Sequence, residues 1–215
     1  MSKSILIMGE SGSGKTTSMR NLNPSETFYI DCDKKGLSWK GWKEQYNTEV
    51  KKNYMATSDV PTIMSLLSKI SNEQPQFKVV VIDTLNAIMI DDEFNRMNEK
   101  GYDKWRELAY SIYGIIQMSN ILRQDLTVIL VMHSQTERDE NTGEKFTRAK
   151  TSGRKLDKIV VESKLTTVLL AKCFDGKYVF ETKNNNSTVK APLGAFNEEI
   201  IENDIVKVLD ALSEF

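Results

Sequence analysis

The stretch "GESGSGKTT", residues 9–17, stands directly behind the apolar run "SILIM" and restricts the fold more than any other feature of the chain. It satisfies the pattern G-x-x-x-x-G-K-[ST] without a gap. Each residue type answers a need of a bound triphosphate. Gly9, Gly12 and Gly14 can reach backbone angles closed to other residues, so the loop, with Glu10, Ser11 and Ser13 between them, can wrap with its N–H groups pointing inward at phosphate oxygens. Lys15 adds a flexible point charge for the β and γ phosphates, and the hydroxyl of Thr16 is positioned to ligate Mg²⁺, with Thr17 closing the binding segment. A helix predicted from near Gly14 through "KTTSMRNL" turns its positive end toward the anion. The bland alternative is a Gly/Ser-rich turn that matches by chance. A buried strand before the loop and a helix after it argue against that.

The rest of the chain alternates strands and helices. "TFYIDC" (27–32) reads as a second strand, and "PTIMSLLSKISNE" (61–73) as a helix entered through Pro61. "FKVVVID" (77–83) is too apolar for a half-exposed strand and belongs in the middle of a parallel sheet. A helix follows over 102–124, then a buried strand, "LTVILVMH" (126–133). Near the end, "LTTVLLAKC" and "YVFETK" form a β-hairpin turned at Asp175 and Gly176, and an amphipathic helix over roughly 197–213 closes the chain. These elements predict one α/β domain over residues 1–215: an open, mostly parallel sheet flanked by helices, with a C-terminal β-hairpin. Ligands of such sheets sit at the carboxyl ends of the strands.

Composition narrows the function classes. With 29 basic and 30 acidic residues the overall field is close to neutral, so any nucleic-acid contact must come from a local patch. Cys32 and Cys173 have no ligand or disulfide spacing and read as reduced thiols of a cytoplasmic protein. No signal peptide or membrane segment is expected, and no Zn²⁺, Fe–S, flavin or nicotinamide signature occurs.

The strand-end rule selects the candidate catalytic residues. Asp83, ending "VVVID", is the natural second Mg²⁺ partner opposite Thr16; its alternative role is to cap the helix beginning at "TLNAIM". Asp31 and Asp33 end the second strand, where one of them can orient an attacking water. His133, the only histidine, ends the fourth strand, where it is either a γ-phosphate sensor or a structural residue.

The order of "GESGSGKTT", "FYIDCDKKGL", "VVVIDTLNAI" and "VILVMHSQTE" resembles the RecA-like P-loop ATPase core, and most of all the core-only phage ATPases implicated in recombination and single-strand annealing. The resemblance covers residues 1–190 and implies ATP and Mg²⁺ as cofactors. It assigns the catalytic carboxylate to Asp33, where RecA-type enzymes usually carry Glu, and puts His133 where relatives carry Gln or His. "ETKNNNSTVKAPLG" is similar to the segment that sends a basic residue into a neighbouring subunit's site, with Lys183 and Lys190 the candidates; surface lysines without that role are the alternative. A homo-oligomer, ring or filament, follows from it.

The same resemblance implies DNA contact through two loops, 92–104 and 135–155. The first is mixed in charge. The second carries Lys145, Arg148, Lys150, Arg154 and Lys155, with Phe146 able to stack on a base; a solvated basic face is the alternative. The expected partners are single-stranded DNA and a phage single-strand-binding protein. Two other function classes fit the same motif: a P-loop nucleotide kinase that uses 138–154 as an arginine-bearing lid, and a non-hydrolysing switch that binds ATP to set its assembly state.

Overall fold

A computed structural model of the chain describes residues 2–99, 101, 103–138, 143–151 and 160–215. The described strands are β1 (Lys3–Gly9), β2 (Thr27–Asp31), β3 (Tyr54–Ala56), β4 (Val79–Asp83), β5 (Thr127–Arg138), β6 (Lys145–Ala149), β7 (Thr167–Phe174), β8 (Lys177–Glu181) and β9 (Ile200–Glu202). Eight of them line up in the order β3-β2-β4-β5-β1-β7-β8-β9, and β6 pairs with β5 beyond that line. From β3 to β7 every neighbour is parallel; β8 and β9 add an antiparallel edge. The helices are α1 (Trp42–Gln45), α2 (Val60–Glu73), α3 (Leu85–Asn95), α4 (Asp103–Ile121) and α5 (Ile205–Ala211).

A parallel sheet covered on both faces needs strands that are apolar on both sides. In β1, Leu6 and Met8 face one core with Ile63, Leu67, Ile112 and Ile116 of α2 and α4, while Ile5 and Ile7 face the other with Met19, Leu22, Ile205 and Val208. The strands "VVVID" and "TFYID" are buried at every position. Both lie inside the sheet, as the sequence of "FKVVVID" predicted for the first of them.

Local signals account for several boundaries. Asp59 caps α2 by accepting from the Thr62 amide at 2.9 Å, with Pro61 in the first turn. Thr84 caps α3 by accepting from the Ala87 amide at 3.3 Å. The hairpin turn between β7 and β8 has Asp175 at φ 49° and Gly176 at φ 75°, the pair of positive angles a two-residue turn of matching twist requires.

Three expectations need correction. The helix predicted after the phosphate loop is a single 3₁₀ turn, Thr17–Met19. Pro24 disfavours helical angles at Asn23, and the Thr16, Thr17 and Asn21 side chains are drawn to Asp83, Ser38 and Asp204 on other segments. The helix predicted over 197–213 is instead β9 followed by α5: Ile200, Ile201 and Glu202 pair with Glu181, Phe180 and Val179, and Asp204 caps the shorter helix by accepting from the Val206 amide at 3.0 Å. Finally, the fourth predicted strand does not stop at His133. It runs on to Arg138 and pairs antiparallel with β6, so the described part of the basic segment expected to be a loop is a β-hairpin, with Thr136 and Thr147 facing each other across it. Cys32 is buried, Cys173 is exposed, and both are free thiols. Among the described residues, no helix is long and apolar enough to cross a membrane.

Candidate functional site

Strand register assembles the site. Gly9 of β1 lies opposite His133 of β5, and Asp31 of β2 lies opposite Asp83 of β4, so the carboxyl ends of four parallel strands place these residues along one edge of the sheet. Beside them lies a pocket of about 430 Å³ lined by Ser11, Gly12, Gly14, Lys15, Thr16, Thr17, Lys35, Ser38, Thr84, His133 and Tyr178.

The glycines of the loop have different reasons to be glycine. Gly12 and Gly14 adopt φ 77° and 91°, open to glycine at little cost. Gly9 has no such angle. A Cβ there would lie 2.5 Å from Ser13 Oγ and 2.6 Å from the Ala171 carbonyl oxygen, so its constraint is the close approach of β7. Because a backbone oxygen cannot step aside as a flexible side chain can, Gly9→Ala should destabilise the fold by about 1–3 kcal/mol, read as a lower urea midpoint. A variant with the parent's midpoint would show that β7 yields freely at this point.

Lys15 is buried, and its ammonium donates to the carbonyls of Gly9 at 2.9 Å and Glu10 at 2.7 Å. Burial lowers its pKa to about 8, against the opposing pull of Asp83. A bound phosphate chain would give this ammonium a counter-charge better than two neutral carbonyls. Thr16 donates its hydroxyl to Asp83 Oδ2 at 2.6 Å, and Tyr29 donates to the same oxygen at 2.7 Å. The other oxygen, Asp83 Oδ1, is buried without a hydrogen-bond partner. Burial raises the pKa of this carboxyl, with the hydrogen bonds from Thr16 and Tyr29 opposing. A hydroxyl and a carboxylate in contact, with one carboxylate oxygen still unsatisfied, fit a Mg²⁺ ion held between Thr16 and, through water, Asp83. Such an ion would neutralise charge on the phosphate oxygens.

Asp31 and Asp33, equivalent in the sequence, separate in the structure. Asp31 is buried, and its carboxylate accepts from the Lys34 amide at 2.9 Å, the Gly36 amide at 2.7 Å and the Tyr54 hydroxyl at 2.8 Å. Its oxygens are committed to shaping the turn. Asp33 is only partly buried, makes an ion pair with Lys35 at 2.6 Å and lies 3.5 Å from the Thr84 hydroxyl. Thr84 and Lys35 both line the pocket, so Asp33 stands beside two residues of its wall.

His133 lines the pocket as well. Its amide donates to Asn86 Oδ1 at 2.7 Å, and burial, then the charge of Lys15, lowers its pKa, so the ring is neutral at pH 7. Lys183 is exposed and donates to the Asn197 carbonyl at 3.2 Å, whereas Lys190 pairs through its backbone with Val168. Neither belongs to the residues lining the pocket of their own chain.

The basic segment divides by face. Lys145 and Phe146 are exposed at the outer part of β6, and Lys150 is exposed just beyond its end. The side chain of Arg148 is 12% exposed and turned toward Glu137 at 3.8 Å, a poor position for a phosphate contact. Arg154 and Lys155 lie outside the described residues. In the other proposed loop, residues 92–95 belong to α3.

Sequence reasoning missed Tyr29, Lys35 and Tyr178. The signal for Lys35 was present, since it lies two residues beyond Asp33 in "DCDKKG". Tyr29 and Tyr178 gave none, because they reach the site across β2 and through the β7–β8 hairpin. Tyr178 packs so closely on the loop that a Cβ on Gly14 would lie 2.9 Å from its ring.

No curated protein matches the chain at a significant level. A family model described as an AAA domain matches residues 1–190, the part that carries the phosphate loop, Asp33, Asp83 and His133. That domain type is a nucleotide-binding ATPase, so both the match and the sheet with its glycine loop lead to the same assignment: the chain belongs to the AAA domain family of P-loop ATPases.

Proposed function

We propose that the chain is an ATP- and Mg²⁺-dependent RecA-like ATPase that binds single-stranded DNA in phage recombination or replication, in the cytoplasm of the host cell. In this reading the loop from Gly9 to Thr17 holds the phosphates and Lys15 contacts the β and γ groups. Asp33 accepts a proton from water as the water oxygen bonds to the γ-phosphorus. The bond to the bridging oxygen breaks, and its electron pair leaves with ADP. Lys183 or Lys190 then serves the site of a neighbouring copy in a homo-oligomer.

One observation carries the DNA part of the reading. Strand β5 passes without interruption from His133 in the phosphate pocket into the β5–β6 hairpin. The two ends of that path are tied together. The Lys150 amide donates to the His133 carbonyl at 2.7 Å, and Asn86 bridges the pair, accepting from the His133 amide and donating to the Lys150 carbonyl at 2.9 Å. A displacement at the phosphate pocket would therefore be felt at a basic, aromatic-bearing hairpin. This is the physical connection a DNA-responsive ATPase needs.

Salt-dependent binding of a labelled single-stranded oligonucleotide tests it. If the hairpin and the segment after it neutralise about three to five phosphates, the log–log slope should be roughly −2 to −3.5, and the double variant Lys145→Ala/Lys150→Ala should flatten it by about 1.4. Phe146→Ala should weaken binding by about 1–3 kcal/mol with the slope unchanged, because stacking releases no counterions. Equal slopes for parent and double variant would refute the assignment of the hairpin to DNA. Phosphoryl transfer to a nucleotide, with no DNA binding at all, would indicate a kinase.

A further inference from the structure

The turn after β2 presents two adjacent lysines whose fates differ. The Asp31 carboxylate holds the amides of Lys34 and Gly36, and the turn is tightened by φ 57° at Lys34 and φ 80° at Gly36. Gly36 is packed so that a Cβ would lie 2.7 Å from the Trp42 ring. With the amides on either side anchored, Lys34 and Lys35 leave the backbone in different directions. Lys34 reaches away from the phosphate loop to Asp91 Oδ2 at 2.8 Å, a carboxylate also held by Ser58. Lys35 lines the pocket that contains Lys15, Thr16, Thr84 and His133.

Among the described residues, Lys35 pairs only with Asp33, the carboxylate assigned to the attacking water. Its side chain is 63% exposed and flexible, so it can exchange that carboxylate for another anion without moving the backbone. Its charge already acts on Lys15, Asp83 and His133, the groups around the expected position of the phosphates.

We propose that Lys35 is a γ-phosphate-binding residue supplied by the same chain, and that its ion pair with Asp33 is a latch that the γ-phosphate opens. The inference rests on the nucleotide reading of the pocket. With the γ-phosphate absent, Lys35 holds the Asp33 carboxylate, which is then not free to accept a proton from water. When a triphosphate enters, its γ group carries more negative charge than a single carboxylate and takes the ammonium over. Asp33 is then released beside the water it must deprotonate. A diphosphate lacks the group that opens the latch, so Lys35 contributes to ATP binding and little to ADP binding. This separates its role from that of Lys15, whose contact includes the β-phosphate common to both nucleotides.

The test is equilibrium binding of ATP and ADP, in the presence of Mg²⁺, to the parent, Lys35→Ala, Lys35→Arg and Lys34→Ala. Lys35→Ala should lose about ten- to a hundredfold in ATP affinity, the range of one charge-assisted contact, while its ADP affinity stays near the parent's. Retained ADP binding also shows that the variant is folded. Lys35→Arg should recover part of the loss, and Lys34→Ala, which removes the same charge from the far side of the turn, should behave as the parent. A Lys35→Ala protein that keeps the parent's ratio of ATP to ADP affinity overturns the role of Lys35 and leaves the nucleotide pocket standing. So does a Lys34→Ala protein with an equal loss, because the effect would then be one of general charge. A parent that binds neither nucleotide overturns the nucleotide reading, and this inference with it.

Discussion

Lys15→Ala should bind ATP about ten- to a hundredfold more weakly than the parent, or lose turnover altogether, because one charge-assisted contact to phosphate contributes of order 1.5–3 kcal/mol. The geometry makes this residue hard to replace. Its ammonium is enclosed by the loop and braces the Gly9 and Glu10 carbonyls, so the variant loses both the charge and the brace that keeps the loop curved. Among the described residues, no other side-chain cation donates to both of these carbonyls. Lys35 also lines the pocket but is tied to Asp33. Nucleotide titration of the folded variant, beside steady-state turnover, is the measurement. ATP affinity and turnover equal to the parent's would remove the loop as the phosphate site.

Asp33→Asn should separate binding from chemistry. The amide keeps the size and polarity of the side chain but cannot accept a proton from water, so hydrolysis should fall by about 10²- to 10⁴-fold. Affinity for ATP should stay the same or rise, since the substitution also removes the partner that holds Lys35 away from the γ-phosphate. Asp31 cannot take over. Its oxygens already accept from two backbone amides and the Tyr54 hydroxyl, and giving them up would undo the turn that carries Asp33 and Lys35. Turnover measured at saturating ATP decides the matter, and a variant hydrolysing at the parent's rate would take the proton-accepting role away from Asp33.

The parts of this protein that its sequence determined are those whose cause is local. The phosphate loop is one continuous segment, so its glycines, Lys15 and Thr16 are recognisable without knowing what surrounds them. Strands β2, β4 and the first part of β5 are apolar at consecutive positions, and only a sheet covered on both faces has use for such strands. The Asp175–Gly176 turn specifies its own backbone angles.

Long-range partners decided the rest. Residues 200–202 have enough helical character to be read as helix, yet they form β9 because β8 offers an unpaired edge, and pairing there satisfies their backbone groups. The basic segment became a hairpin because β5 continues past His133 and supplies it with a partner strand. Asp31 and Asp33 have the same chemistry and stand two residues apart, as Lys34 and Lys35 stand one apart. What makes one of each pair structural and the other a candidate for chemistry is a tyrosine from β3, an aspartate from α3 and the position of the phosphate loop. Those neighbours come from segments remote in sequence, and electrostatic and hydrogen-bond partners are set by distance in space. Only the tertiary structure could therefore assign the roles.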